Sequence, residues 1–310
     1  MTFFHNDSLP PMPSIADNIP LSDFMFDERY GRRSYDESLD AYTCGLSGRK
    51  LSAHEQKECV ELLSRALAKE LHWRVIEASA FDKTIGVFAF NTTSQCRALF
   101  TGQYLLPVAL KAAKVAGIAQ DRIYLCEMID DSDSEKFAGF RTVGQLIREG
   151  ESLPELERVA WQHGQGPTQT AFLCYSSGTS GLPKAVMISH KNVIANIIQL
   201  SLFHQVDRDN IAPRHRDIGL GLLPQSHIYS LIIICHASTY RGDSVIVLPK
   251  FELEAYFGAI AKYRINTLYL VPPIIISMVN NLQTIRVWVG AAPLAPQITW
   301  LFCPIIQRGR

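Results

Sequence analysis

The sequence predicts an α/β protein whose sheets are largely parallel. In the second half of the chain, short apolar runs suited to buried strands alternate with longer segments, several of which carry apolar residues at helical spacing. Strands that recur with intervening helices favour parallel pairing, because a parallel crossover needs about a dozen residues or more. The strand regions predicted in this half are 171–175, 185–189, 217–223, 244–248, 267–271 and 285–290.

The first half contains two helices and two further strands. A helix is predicted from Ser52, where the spacing of a capping box is followed by apolar residues at helical intervals up to Leu71. A second helix is predicted over 107–117, which has Pro at its start and Gly at its end. Strands are predicted over 85–90 and 123–126.

The chain is expected to divide into three parts. The first fifty residues are rich in Pro, Asp, Ser and Arg without sustained periodicity, so residues 1–50 are predicted to form an irregular arm. Gly and Pro cluster over 150–168, which marks a boundary. Residues 51–165 are therefore predicted to form a first α/β subdomain, shortened by comparison with the family described below, and residues 166–310 a core subdomain.

Composition excludes several classes of protein. The 310 residues contain 30 Lys and Arg against 30 Asp and Glu, so there is no cationic excess to bind nucleic acid. A hydrophobic content of 47% excludes a disordered chain. No apolar run approaches the roughly 20 residues of a membrane helix, and the N-terminus lacks the pattern of a signal peptide. The seven scattered cysteines suggest neither a disulfide framework nor a metal site, so a protein of the cytoplasm, or alternatively of an organelle matrix, is expected.

The segment 176–184, with the sequence SSGTSGLPK, has the composition of a phosphate-binding loop. Two glycines allow the backbone to turn and expose its N–H groups, four hydroxyls add donors, and one lysine supplies a cation. The flanking strands are expected to be buried. A Ser/Gly-rich surface turn is the alternative interpretation. The predicted phosphate-binding residues are Ser176, Ser177, Gly178, Thr179, Ser180, Gly181 and Lys184.

Two other loop motifs are excluded by spacing. A Walker loop needs Gly-Lys followed by Ser or Thr, whereas Pro183 precedes Lys184 and Ala185 follows it. A nucleophile elbow needs the pattern G-x-S-x-G, which this segment does not have. A hydrolase using Ser177 or Ser180 would need a His and an Asp in triad geometry, and is the least favoured alternative.

Four segments together resemble the adenylate-forming (AMP-binding) superfamily, which includes acyl-CoA synthetases, 4-coumarate–CoA ligases and luciferases. Residues 175–190 are similar to its phosphate-loop signature, and residues 223–231 (LPQSHIYSL) to its substrate-gate motif. Residues 242–251 are similar to the strand and basic turn that follow, and 289–294 (VGAAPL) to the segment lining the acyl and adenine pocket. The HIY sequence within the gate motif favours the 4-coumarate–CoA ligase-like branch, with an arm like that of fungal members.

The resemblance implies an ATP-dependent acid–CoA ligase acting on an aryl or medium acyl acid, in a catabolic or secondary-metabolite pathway. ATP, Mg²⁺ and coenzyme A would be required, and a small carboxylic acid would be the partner. Lys184, Thr179 and His227 are the implied catalytic residues. His227 and Tyr229 would lie at the carboxylate, and Lys250 near the CoA path, although an ordinary surface lysine remains an alternative for Lys250. The small residues implied in the pocket are Gly290, Ala291 and Ala292.

The sequence also departs from the family pattern. The connection 91–96 replaces a long helix–loop–strand stretch, the connection around 280–286 is short, and the family's Mg²⁺-binding Glu and lid lysine do not occur. The expected fold is therefore the N-terminal portion of an adenylate-forming enzyme, with mixed parallel sheets flanked by helices and the C-terminal lid domain absent. The alternative function is a catalytically impaired relative that binds only a nucleotide, an acyl ligand or a partner.

Overall fold

The structure, a computed structural model, describes residues 11–74, 83–87, 96–126, 139–176, 184–212, 215–279 and 287–289. The chain divides into two compact units. Unit 1 comprises residues 1–15, 21–54 and 191–310, and unit 2 comprises residues 16–20 and 55–190. The three-part division expected from the sequence stays a prediction.

Unit 1 is built on a six-stranded sheet with the order β12-β11-β9-β10-β1-β2. All neighbouring strands are parallel except β1 and β2, which form an antiparallel hairpin. The strands are β1 (Tyr42–Cys44), β2 (Lys50–Leu51), β9 (Ile218–Gly221), β10 (Ser244–Val247), β11 (Thr267–Leu270) and β12 (Val287–Val289).

Helices pack against this sheet and complete its hydrophobic core. They are α1 (Leu21–Phe26), α6 (His190–Ile211, whose first residue belongs to unit 2), a π-helical segment (Ser230–Ala237), α7 (Ser238–Arg241), α8 (Leu253–Tyr263) and α9 (Pro272–Val279). A short 3₁₀ turn also occupies Glu28–Tyr30. One buried cluster joins β9, β10 and β11 to α8 through Leu220, Ile246 and Tyr256.

Part of the segment predicted as an irregular arm is ordered within unit 1. Phe24 stacks on Tyr240 with ring centroids 4.8 Å apart, and the Tyr240 hydroxyl donates to the carbonyl of Tyr30 at 2.9 Å. Further along, β1 pairs with β10 in parallel and becomes an internal strand of the sheet. The strand has only three residues, which is too short for a periodicity that the sequence could show.

A buried charge network lies where β9 and β10 begin. Asp217 directly precedes β9, Asp243 directly precedes β10, and Arg208 reaches both carboxylates from α6. Arg241 donates through Nε to Asp243 at 2.8 Å, and the Asp243 carboxylate also accepts the backbone N–H of Asp217 at 3.0 Å. These four residues are called the buried charge network below. They fix α6 and α7 to the amino ends of two central strands.

Unit 2 contains two separate sheets. The larger is parallel throughout, with the order β3-β4-β5-β6, and the smaller is the antiparallel pair β7-β8. The strands are β3 (Ile85–Val87), β4 (Ala98–Thr101), β5 (Ile123–Leu125), β6 (Arg141–Thr142), β7 (Thr170–Ser176) and β8 (Lys184–Ser189). The helices are α2 (Ala53–Glu70, which enters the unit at Glu55), α3 (Leu106–Ala116), α4 (Val143–Glu151) and α5 (Gln165–Thr168), with short 3₁₀ turns at Gln103–Leu105 and Gln120–Arg122.

The larger sheet of unit 2 is covered on both faces. Phe100 and Tyr124 stack 5.0 Å apart in a cluster with α2 and α4, whereas Leu99 belongs to a second cluster with α3. Because successive residues of a strand point to opposite faces, β4 contributes to both cores. Helix α3 ends at Gly117, which has φ +69° and donates to the carbonyls of Ala113 and Lys114, as its sequence predicts.

The predicted α/β class with largely parallel sheets is confirmed. One expectation at the predicted phosphate loop is wrong: its flanking strands are not buried. Most residues of β7 are half-buried, and Lys184 to Met187 in β8 are exposed. The reason is that, in the described part of the chain, these two strands pair only with each other and have no third strand beside them. No helix among the described residues combines the length and apolar character needed to cross a membrane.

Candidate functional site

The β7–β8 hairpin places the two ends of the predicted phosphate loop opposite each other. Ser176, the last residue of β7, is the register partner of Lys184, the first residue of β8. Lys184 is exposed, so its ammonium group is available to a ligand. The predicted residues Ser177, Gly178, Thr179, Ser180 and Gly181 lie outside the described residues. The loop is therefore a seven-residue connection closed by a paired Ser and Lys.

The strand that carries Lys184 runs directly into α6. Residue 190 begins the helix, and its backbone N–H donates to the carbonyl of Gln169 at 3.1 Å. The edge of Trp161 lies against the His190 ring, with centroids 4.6 Å apart. Burial lowers the pKa of His190 from 6.5 to about 4, so this ring is neutral at physiological pH.

In unit 1, two of the segments that resemble the superfamily follow the carboxyl ends of parallel strands in one sheet. The segment 223–231 follows β9, and Lys250 follows β10. Strands β9 and β10 are immediate neighbours, with Gly221 paired to Val247 at their ends. Ligands of open parallel sheets bind outside the carboxyl ends of the strands. Gly290, Ala291 and Ala292 themselves lie outside the described residues.

The segment 223–231 forms a tight turn that leads into the π-helical segment. The backbone N–H of His227 donates to the carbonyl of Pro224 at 3.0 Å, and the Ser230 hydroxyl donates to the carbonyl of Leu223 at 3.2 Å. The His227 side chain is exposed, and its Nδ1 accepts the backbone N–H of Tyr229 at 3.2 Å. His227 and Tyr229 are thus brought together on one turn, as the sequence predicts.

Tyr229 connects this turn to the core of unit 1. Its half-buried ring packs against a cluster that includes Leu223, Val245 and Tyr269. Burial raises the pKa of Tyr229 to about 12, with a smaller contribution from Tyr269, so its hydroxyl stays protonated at physiological pH. The hydroxyl can therefore donate a hydrogen bond at the sheet edge.

Two supporting residues of this turn were not predicted from the sequence. Ser230 is fully buried and holds the turn closed through Leu223. Tyr269 lies over Gly219, where an added Cβ would approach the Tyr269 Cε2 to 2.8 Å. A glycine inside a buried strand indicates a close approach of this kind, so the pattern IGLG at 218–221 was the available signal.

Lys250 lies on the exposed turn after β10. Its ammonium nitrogen is 2.6 Å from Glu252 Oε1, and both side chains are more than half exposed. A pair this exposed contributes at most about 1 kcal/mol to stability and is screened by salt. The ion pair is therefore weak enough for an anionic ligand to displace it, and the surface-lysine alternative remains open.

Chemically, the described residues offer cations and hydrogen-bond donors. Lys184 supplies a cation in unit 2, while His227, Tyr229 and Lys250 supply polar groups at the sheet edge of unit 1. Groups of this kind bind phosphate and carboxylate oxygens. Among the described residues, no three His, Cys, Asp or Glu side chains are grouped so that they could hold a metal ion.

Polar groups after the carboxyl ends of parallel strands, and a Ser/Gly-rich connection followed by lysine, are typical of nucleotide-binding α/β proteins. The family model described as AMP-binding enzyme matches residues 90–306 of this sequence. The chain belongs to the AMP-binding enzyme family. The resemblance predicted from the four segments is confirmed.

Individual relatives agree with this assignment. The sequence is 29% identical over 318 residues to acyl-CoA ligase easD of Emericella nidulans, covering 91% of this chain and 55% of that protein. It is 35% identical over 179 residues to 4-coumarate–CoA ligase 3 of Arabidopsis thaliana, covering 54% of this chain and 30% of that protein. The chain spans about half the length of the curated fungal acyl-CoA ligases that it matches.

Solved structures show the same fold. A long-chain-fatty-acid–CoA ligase from Archaeoglobus fulgidus superposes with a TM-score of 0.68 at 17% identity, covering 96% of this chain and 63% of that chain. A red-emitting luciferase from Phrixothrix hirtus superposes with a TM-score of 0.66 at 15% identity, covering 95% of this chain and 60% of that chain. The predicted class, an adenylate-forming α/β fold matching the first part of such enzymes, is confirmed.

Proposed function

We propose that this chain carries the nucleotide-binding and acid-binding parts of an ATP-dependent acid–CoA ligase. The carboxylate of a small aryl or medium acyl acid attacks the α-phosphorus of ATP, and the bond to pyrophosphate breaks. The thiol of coenzyme A then displaces AMP from the acyl-adenylate, forming a thioester. The observation that supports this proposal most is the position of segment 223–231 and Lys250 after the carboxyl ends of two neighbouring parallel strands.

The residues of the β7–β8 loop bind the triphosphate in this proposal. Lys184 provides the positive charge, which stabilises the negative charge that develops on the departing pyrophosphate. Ser176, Thr179 and the other loop residues from 177 to 181 donate hydrogen bonds to phosphate oxygens. The exposure of Lys184 and its pairing with Ser176 support this role.

The sheet edge of unit 1 binds the acid and guides CoA. His227 and Tyr229 hydrogen-bond the carboxylate end of the substrate, and Lys250 attracts the phosphates of CoA. The three small residues 290–292 leave room for a flat acyl or adenine ring. The fungal relatives named as acyl-CoA ligases support the ligase activity, which we place in a catabolic or secondary-metabolite pathway. The scattered cysteines support a cytoplasmic location.

Mg²⁺ accompanies ATP in this proposal. Among the described residues no three His, Cys, Asp or Glu side chains are grouped to hold it, so we assign it no protein ligand in this part of the chain. When bound, the ion would neutralise phosphate charge and orient the β- and γ-phosphates.

The test of the nucleotide site is Lys184→Ala, with Lys111→Ala as the matched control. Lys111 is an exposed lysine on α3 of the same unit. Loss of a charge-assisted contact weakens binding by about tenfold or more. We expect Lys184→Ala to raise the Kd for ATP by at least that factor with an unchanged far-UV spectrum, while Lys111→Ala binds like the wild type. Equal ATP binding by all three proteins would contradict the loop assignment.

The test of the reaction measures pyrophosphate release and acyl-CoA formation with Mg-ATP, CoA and a panel of aryl and acyl acids. Product formation that requires all three substrates supports a ligase. ATP binding without pyrophosphate release or thioester for any acid would favour the alternative, an impaired relative that only binds, whereas failure to bind ATP and every acid would contradict the proposal.

A further inference from the structure

The loop 27–38 of unit 1, called the arginine loop below, carries three arginines that differ in their partners. Arg29 and Arg33 each pair with a carboxylate of the same loop, at nitrogen–oxygen distances of 2.8 and 3.2 Å. Arg32 is the most buried of the three, with 4% of its surface exposed. Its Nε and Nη1 are fully buried and have no hydrogen-bond partner among the described residues. This is the reverse of the usual order, because a buried charge is normally a paired one.

The guanidinium of Arg32 is held in place by Tyr35. Its Cζ lies 3.8 Å from the centroid of the Tyr35 ring. That ring is itself fixed, since its hydroxyl donates to the carbonyl of Phe26 at 2.9 Å and it stacks on His54 with centroids 4.6 Å apart. An aromatic face attracts a cation but does not supply the oxygen acceptors that the guanidinium N–H groups need. The cation is therefore positioned without being satisfied.

The carboxylate of Glu28 is already engaged elsewhere in the loop. Its Oε1 accepts the backbone N–H of Tyr35 at 2.7 Å. Burial lowers the pKa of Arg32, and the electrostatic effects of Tyr35 and Glu28 oppose this only in part. An arginine still carries its charge at physiological pH. The arginine loop thus encloses a full positive charge without a hydrogen-bonded counter-charge from the described residues.

Such an arrangement lowers the stability of the folded protein. A buried cation that lacks hydrogen-bonded partners costs free energy, and an apolar side chain of similar length would fill the same space without that cost. Binding sites commonly keep a destabilising group of this kind because the ligand supplies the missing partner. For a guanidinium, the strongest such partners are carboxylate and phosphate oxygens.

We propose that Arg32 is the centre of a binding site for a small oxyanion, namely the carboxylate or phosphate group of a low-molecular-weight ligand. The ligand must be small, because so little of Arg32 is exposed, although its neighbour Gly31 lies at the surface. The arginine loop is attached just before β10, where the backbone N–H of Arg33 donates to the carbonyl of Tyr240 at 2.9 Å. Lys250 follows the other end of that strand, so the site is separate from the proposed ligase site and does not rest on it.

Binding is tested in the full chain carrying Lys184→Ala, which removes the cation of the predicted phosphate loop. Equilibrium dialysis with ³²P-labelled inorganic phosphate and with ¹⁴C-labelled acetate measures binding, and sodium chloride keeps the ionic strength constant. We expect saturable binding of at least one of the two anions, at one equivalent per chain, and the comparison shows which group the site prefers. Adding Arg32→Met should weaken that binding about tenfold or more, because a charge-assisted contact is lost. Absence of saturable binding for both anions, or equal binding after Arg32→Met, would overturn the proposal.

The stability argument is tested with Arg33→Met as the matched control. Arg33 is the next residue and is paired, since it lies 3.2 Å from Glu37 and donates through Nε to the carbonyl of Arg241 at 3.1 Å. In sodium chloride, we expect Arg32→Met to raise the melting temperature by about 2 °C or more, because an unpaired buried charge is removed. Arg33→Met should lower the melting temperature and bind the anion within a few-fold of the parent protein.

Each of the opposite results counts against the site. An Arg32→Met protein that melts below the parent or does not fold would show that the guanidinium is satisfied within the chain. Equal loss of anion binding in Arg32→Met and Arg33→Met would show that the general positive charge of the arginine loop, and not the unpaired guanidinium, attracts the anion.

Discussion

Replacing Asp243 by asparagine tests how far unit 1 depends on its buried charge network. The Asp243 side chain is 1% exposed, and those of Arg208 and Arg241 are 4% exposed. Asp243 accepts from both guanidinium groups and from the backbone N–H of Asp217. Among the described residues, neither terminal nitrogen of Arg241 has a hydrogen-bond partner, so Asp243 supplies its main counter-charge.

The expected loss in the free energy of unfolding follows from removing the charge of Asp243. Asparagine keeps the volume and one accepting oxygen, but it turns an NH₂ group toward a guanidinium and leaves two arginines against Asp217 alone. Removing one partner of a buried ion pair costs about 3–5 kcal/mol, because an uncompensated charge remains in the interior. We therefore expect Asp243→Asn to lower the free energy of unfolding by about that amount.

The assay is urea unfolding followed by circular dichroism, and the control is Asp40→Asn. Asp40 pairs with Lys50 at 2.7 Å in the same unit, but the two side chains are 35% and 64% exposed. An exposed pair contributes about 0–1 kcal/mol. A loss of stability in Asp243→Asn no larger than that in Asp40→Asn would refute the reasoning that burial of the network decides its energy.

Two further predictions concern packing and pH. Gly219→Ala should lower the free energy of unfolding by about 1–3 kcal/mol, because the new methyl group would lie 2.8 Å from the buried Tyr269 ring. Gly258→Ala is the control for urea unfolding: nothing lies within 4 Å of its added Cβ, so this helical site should gain about 0.5–1 kcal/mol. Equal changes in the free energy of unfolding for Gly219→Ala and Gly258→Ala would contradict the packing argument. For His190, the folded pKa of about 4 lies below the usual 6.5, so the unfolded chain takes up the proton first and stability falls as pH falls from 6.5 toward 4. His190→Gln should flatten this dependence, measured as melting temperature against pH, whereas His54→Gln, at an exposed ring, should keep it. If the melting temperature of His190→Gln depended on pH as steeply as that of the wild type, this prediction would be contradicted.

The regular elements of the chain could be predicted from local patterns. The predicted helix over 107–117 corresponds to Leu106–Ala116, because Pro and Gly mark both of its ends. The predicted strand at 244–248 corresponds to Ser244–Val247, where an apolar run is buried between two neighbouring strands. These elements carry their own boundary signals, so a single sequence is enough to find them.

The remaining features depend on contacts between distant residues. Strand β1 has three residues and is fixed by pairing with β10, about 200 positions away in the sequence. The exposure of β8 likewise depends on which strands lie beside it, and its apolar residues alone could not show that. At the site, the sequence could identify His227 and Tyr229 from a motif. It could not show that the His227 ring accepts the backbone N–H of Tyr229, because that depends on the distance between the two nitrogen atoms.

The two ends of the central strands of unit 1 carry different kinds of polar group: buried ion pairs at one end and the proposed binding residues at the other. Asp217 and Asp243 precede β9 and β10, whereas the segment 223–231 and Lys250 follow the same two strands. The buried charges fix the strand starts, where removing one charge leaves others uncompensated. After the strand ends, the His227 and Lys250 side chains are exposed and make only weak contacts, so they can exchange their partners for a ligand. Substitutions at the first end should therefore change the free energy of unfolding with little effect on the affinity of the folded protein, and His227→Asn at the second end should do the reverse.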